Sequence, residues 1–129
     1  MFVVLDTNIL VSAFWSRDNK PARIVSLALN GIITPCFDSR IIREYQGVLY
    51  RKKFGFEKWE INQVLAQIIN DGISVVPVPL SIPFIDETDR KFYETAKHCH
   101  ARLITGNVKH FPQDPLVVTS SAFLAAFET

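Results

Sequence analysis

Residues 2–5, Phe-Val-Val-Leu, form an unbroken apolar run that ends on a carboxylate, Asp6. A strand with no polar face must be covered on both sides, and such strands belong to parallel sheets flanked by helices. In open sheets of that kind, ligands sit just past the carboxyl ends of the strands. Asp6 therefore stands where this type of fold does chemistry, and the polar turn Thr7-Asn8 follows it directly.

The rest of the chain repeats the pattern. Apolar spacing predicts helices over Asn8–Phe14 (capped by Thr7 or Asn8), from Pro21 to a stop at Gly31, over Arg40–Tyr50 (capped by Ser39), over Glu57–Asn70, from Asp86 or Thr88 to His100, and over Ser120–Phe127. Further strands are predicted at Ile32–Phe37, Ser74–Val78, Arg102–Thr105 and Leu116–Thr119. Pro35 should shorten the second strand or place it at an edge. Pro77, Pro79 and Pro83 should keep their stretch extended and free of helix. Strands alternating with helical segments predict a parallel α/β sheet. At 129 residues the chain is expected to be one domain, residues 1–129. Its apolar content of 48% supports a core without disulfide staples.

Cys36 falls in a predicted strand and Cys99 on the apolar side of a predicted helix, so both are expected to be buried free thiols. A net charge of +1 means that any nucleic-acid contact must be local or helped by metal ions. No charged leader precedes an apolar segment, and no run approaches the ~20 apolar residues of a membrane span. The expected setting is cytoplasmic, with no membrane partner.

Two further acids share the logic of Asp6. In the helix over Arg40–Tyr50, Ile41, Tyr45, Val48 and Leu49 form one apolar arc, and Glu44 lies at its margin, about 40° from Val48. Helical side chains lean toward the helix start, which aims Glu44 back at the sheet edge. Asp89 projects onto the stripe marked by Phe92, Tyr93, Ala96 and Cys99, one turn earlier, where a carboxylate is partly desolvated unless something binds it. Each acid also has a structural assignment: Asp6 as a helix N-cap, Glu44 as a partner of Arg40, Asp89 as the third helical residue of a capping box begun by Asp86. After the fourth strand comes Thr105-Gly106-Asn107, in which Asn107 is either a turn residue or an amide oxygen offered to a hard cation. Thr7, Asn8 and Thr105 are candidate hydrogen-bonding partners of the acids or of a phosphate oxygen.

Other chemistries fail at named places. His98, His100 and His110 do not have zinc spacing. No Cys-x-x-Cys pair, Gly-rich phosphate loop or Gly-x-Ser-x-Gly elbow is present. A phosphatase of the haloacid-dehalogenase type wants an Asp two positions after Asp6, where this chain has Asn8. A response-regulator receiver needs an early acidic pair and a strand-end Lys, and neither is evident.

The ordered set of motifs resembles the PIN-domain nucleases, especially the small toxin ribonucleases of the VapC kind. The stretches that carry the resemblance are Val4-Leu5-Asp6-Thr7-Asn8-Ile9-Leu10, Ser39-x4-Glu44, Asp86-Glu87-Thr88-Asp89-Arg90-Lys91-Phe92 running into Ala96, and Leu103-Ile104-Thr105-Gly106-Asn107-Val108-Lys109-His110-Phe111. The resemblance implies a three-layer α/β/α sandwich with a parallel five-stranded sheet and acids at its carboxyl edge. It implies metal-dependent RNA hydrolysis with Mg²⁺ or Mn²⁺, Asp6 and Asp89 as primary ligands, and Glu44 binding metal or orienting water. It also implies a protein antitoxin as partner, with homodimer formation common in the family. Where the family often has a fourth acid, this chain has Asn107, which removes one negative charge; Asp86 and Asp114 are the acids that could stand in. Arg51, Lys52, Lys53 and Lys109 are candidates for backbone phosphate contacts. The competing expectation is a catalytically weak or inactive PIN-like module that binds RNA or protein.

Overall fold

The computed structural model describes residues 1–129. Five parallel strands stand in the order β3-β2-β1-β4-β5: β1 (Phe2–Leu5), β2 (Thr34–Phe37), β3 (Ile73–Ser74), β4 (Arg102–Ile104) and β5 (Val117–Val118). Six helices connect or follow them: α1 (Thr7–Trp15), α2 (Lys20–Leu29), α3 (Ser39–Leu49), α4 (Lys58–Asp71), α5 (Arg90–Cys99) and α6 (Ser120–Phe127). The chain steps outward from β1 in one direction to β3 and then in the other through β4 to β5. Parallel strands are as a rule joined by right-handed crossovers, which place helices on both faces of a sheet whose order runs both ways from its first strand. Helix α2 packs against α1, α4 and α6, while α5 lies across β1, β2 and β4. The three-layer α/β/α sandwich is thus realised, and β1 is at its centre with Val3, Val4 and Leu5 buried.

Strand β2 is shorter than the expected Ile32–Phe37, and the stretch holding Pro77, Pro79 and Pro83 is free of helix as expected, but β2 is not at an edge and β3 differs in extent. Pro35 is in an interior strand, opposite Val3 of β1. The β2–β3 ladder begins one residue later, at Cys36 opposite Ile73, so the missing N–H falls where β3 has not yet started. Strand β3 is Ile73–Ser74 and not Ser74–Val78. Val75 N–H still donates to the Phe37 carbonyl at 2.9 Å, but Pro77 and Pro79 have no N–H to extend the ladder. Gly72 sits at that junction because a Cβ there would fall 2.6 Å from the carbonyl oxygens of both Ile68 and Pro35.

The caps are shifted by one residue. Asp38, not Ser39, caps α3 by accepting from Ile41 N–H at 3.0 Å. Asp6, not Thr7 or Asn8, holds the N-cap position of α1, yet its side chain makes no capping bond. Cys36 is buried and Cys99 half-buried, and both are free. No helix is long and apolar enough to cross a membrane.

After Val75 the chain has no regular structure until a single 3₁₀ turn at Glu87–Asp89. Two side chains of α5 fix this proline-rich stretch. Arg90 donates to the carbonyls of Leu80 (2.5 Å) and Ile82 (2.7 Å), and its guanidinium lies 4.8 Å from the Phe84 ring centroid. Glu94, only 3% exposed, accepts from Leu80 N–H at 2.8 Å and from Arg40 at 3.1 Å. The extended segment is therefore held by side chains where a ladder cannot hold it.

Candidate active site

The strand order reverses between β1 and β4, and their carboxyl ends deliver Asp6 and Thr105 side by side. Thr105, fully buried, donates its hydroxyl to Asp6 Oδ2 at 2.7 Å. Asn8 donates to the same oxygen at 3.2 Å and accepts from Gly106 N–H at 3.0 Å. These bonds, and not a capping role, fix the Asp6 rotamer. Asp6 is 6% exposed. Burial pushes its carboxyl up to about 6, against the pull of the Thr105 bond and with added repulsion from Asp89 and Glu44.

Glu44 reaches the same edge from α3. One oxygen accepts from the Thr7 hydroxyl, and the other is 2.7 Å from Lys91 Nζ. Lys91 is only 12% exposed and also donates to the Thr88 carbonyl. Asp89 comes from the start of α5, where its side chain makes no capping bond. Its Oδ2 is buried without a hydrogen-bond partner. His110 Nδ1 faces it at 3.5 Å, too far for a good hydrogen bond. Burial, with repulsion from Asp86, raises the Asp89 carboxyl above the usual range.

The structure thus brings Asp6, Glu44 and Asp89 within mutual electrostatic reach. No three of the acidic, His or Cys side chains converge into a finished metal cage. The donor set nonetheless suits a hard divalent cation: oxygen ligands, one of them buried and unpartnered, and a carboxylate whose ionisation is opposed by its neighbours. Such a cation would be held by Asp6 and Asp89, with Glu44 joining when Lys91 releases it.

The remaining residues fall on either side of this edge. Asn107 is exposed, its N–H donates to Thr105 Oγ1 at 2.9 Å, and it lines a cleft shared with Asn8, Ser12, Lys20 and Ser121. Lys109 is exposed in the 3₁₀ turn that also holds His110. Arg51 and Lys52 are not brought to the acids. They follow the far end of α3, about 10 Å along the axis from Glu44. The turn carrying them is anchored there by the Trp15, Phe54 and Phe56 rings, with Lys53 over Phe54. Asp114 and Asp86 do not replace a fourth acid. Asp114 is taken by Tyr93 (2.7 Å) and Lys97 (3.1 Å), and Asp86 by Thr88.

Sequence reasoning missed Lys91 and His110. Lys91 directly precedes the buried Phe92 and reads as a solvated neighbour of Arg90. Only the packing of α5 against α3 turns it toward Glu44. No spacing signal marks it.

A family model for the PIN domain matches residues 2–109. Among solved structures, the chain is similar to one in the crystal structure of VapBC2 from Rickettsia felis bound to a DNA fragment from their promoter. The identity is 21%, the match covers 92% of this chain and 97% of that one, and the TM-score is 0.59. At this identity the likeness is one of fold. No curated protein matches the chain.

Proposed function

The chain belongs to the PIN domain family, and from that premise we propose that it is a divalent-metal-dependent endoribonuclease, the toxin of a toxin–antitoxin pair. The observation that carries the nuclease reading is the buried, hydrogen-bonded Asp6 carboxylate at the sheet's switch point, electrostatically coupled to Glu44 and to Asp89, whose buried Oδ2 makes no hydrogen bond. The substrate is RNA, single-stranded or structured, and the setting is cytoplasmic. Likeness to a VapBC2 chain supports a protein antitoxin as partner. Self-association into a homodimer remains part of the proposal.

Mg²⁺ or Mn²⁺, when bound, supplies Lewis acidity to a phosphodiester and acidifies water. The chain's own residues prepare the site. Thr105 and Asn8 hold Asp6 in one rotamer, Thr7 orients Glu44, and Asn107 offers a neutral oxygen where a fourth acid would add charge. Lys91 offsets the acids' mutual repulsion while no metal is bound. Lys91→Met is therefore expected to tighten Mn²⁺ binding about three- to tenfold, on the order of 1 kcal/mol for a competing cation removed from Glu44. Calorimetric titration checks this. Weaker binding would mean that Lys91 orients Glu44 and does not compete with the metal.

The direct test is cleavage of a mixed RNA pool with Mg²⁺ or Mn²⁺, alongside EDTA and an Asp6→Asn variant. Metal-dependent cleavage that the variant loses is the expected result. A second reading, a PIN-like module that binds RNA or protein without cutting, is favoured by Asn107 and by the engagement of both Glu44 oxygens. Folded, partner-free protein that binds metal but cuts nothing would select it.

A further inference from the structure

We infer that the cleft between α3 and α5, beside Glu44, seats a phosphodiester of the bound RNA strand, with Arg43 as its anchor. The inference rests on the ribonuclease reading and specifies where the strand lies. The cleft, about 410 Å³, is lined by Arg40, Arg43, Glu44, Glu87, Arg90 and Lys91, with no apolar side chain. Four cations thus face two acids at a place that includes a proposed catalytic residue.

Three of these cations already have partners. Arg40 is held by Asp38 at 2.6 Å and Glu94 at 3.1 Å. Arg90 is held by Glu87 at 2.8 Å and by the Leu80 and Ile82 carbonyls. Lys91 is held by Glu44 at 2.7 Å. Arg43 is exposed, and every acid bordering the cleft is engaged by another cation. On α3 it lies one turn from Arg40, so both guanidinium groups serve the same side of the helix. A free guanidinium beside cations already fixed in place suits an incoming anion, because most of the ordering is done before binding. Its planar fork matches a phosphate in two-point contact.

The cleft on the opposite side of Asp6 makes the contrast. It is about 530 Å³ and is lined by Asn8, Ser12, Asn107, Thr119, Ser120 and Ser121, among others, with Lys20 as its one cation, donating to Ser121 at 3.0 Å. Phosphate charge is therefore met on the α3–α5 side, and neutral hydrogen-bonding groups line the other. This placement differs from the expectation that Arg51 and Lys52 meet the backbone.

The test uses the full chain in EDTA with a short 2′-O-methylated single-stranded RNA, which reports binding with no cleavage. Fluorescence anisotropy is read between about 50 and 200 mM salt. Arg43→Glu is expected to weaken binding at least about tenfold, or about 1.4 kcal/mol. Arg43→Ala should flatten the slope of log affinity against log salt by about 0.7, one single-strand phosphate contact. Arg17→Glu, the same charge change at a side chain 92% exposed on another face, should bind as the unaltered chain does. Equal losses in Arg17→Glu and Arg43→Glu, unchanged binding in both Arg43 variants, or stronger displacement of the unaltered chain's RNA by polyglutamate than by unlabelled RNA would each overturn the inference. Parallel cleavage assays separate the two claims. Cleavage with unaffected Arg43 variants removes the cleft and leaves the nuclease. Arg43-dependent binding without any cleavage retains the cleft and removes the nuclease.

Discussion

Asp6→Asn is expected to abolish metal-dependent cleavage and, in the same molecule, to raise stability at pH 7.5 without metal by about 3 kcal/mol. The gain follows from linkage. The folded chain holds the Asp6 proton up to about pH 6, whereas the ordinary value is 3.8. Between those values the native state binds more protons than the unfolded state, so stability falls as pH rises from about 4 to about 6 and stays low above. Asparagine has no charge to desolvate and can still accept the Thr105 hydrogen bond. Urea unfolding against pH reads the effect directly. The advantage of the variant should be near its maximum above pH 6 and vanish below about pH 4. Mn²⁺ should narrow it, because metal binding stabilises only the chain that keeps the carboxylate. A variant less stable than the original at pH 7.5 would mean that Asp6 is structural and that the metal reading is unfounded.

Glu94→Ala has the largest expected cost, about 2 kcal/mol in urea unfolding, because the half-buried Leu80 N–H loses a charged acceptor and the half-exposed Arg40 loses one of its two carboxylate partners. The loss should not be uniform. Leu80 N–H is left without its acceptor, Arg40 with Asp38 alone, and the proline-rich stretch with Arg90 as its chief remaining tie. Hydrogen exchange at Leu80 should quicken far more than at Val4 or Leu103, which lie in the central strands. Metal affinity should fall as well, since Asp89 follows directly from that stretch. Glu94→Gln keeps an acceptor for Leu80 and should fall between the two. Uniform exchange across the chain would contradict a local role for Glu94.

Much of this was legible in the residues because it depends on local pattern. An apolar run ending in Asp6 is enough to place a carboxylate at a strand end, and helical projection is enough to turn Asp89 inward. Glu44 could be placed at the margin of an arc, though its partners could not be read. What stayed hidden depends on distant packing. Glu94 reads as one more polar residue on α5 until Arg40 and Leu80, 54 and 14 positions away, close around it. Lys91 meets Glu44 only because two helices approach. The shift of the α3 cap from Ser39 to Asp38 reflects two adjacent residues that both cap well. The retreat of β3 reflects a run that suits a strand by composition but lacks the N–H groups to extend one.

The position of β1 has a consequence for biosynthesis. Strand β1 leaves the ribosome before the other four strands and is the innermost, and on one side its neighbour is β4, residues 102–104. Asp6 acquires its Thr105 partner 99 residues later in the chain. At elongation rates of about 5–20 residues per second, the nascent chain spends several seconds with β1 half-paired and its acids unassembled. A partly translated chain therefore carries the carboxylates but no site. For the nuclease proposed, cleavage would wait on the synthesis of Thr105 and the strand that carries it.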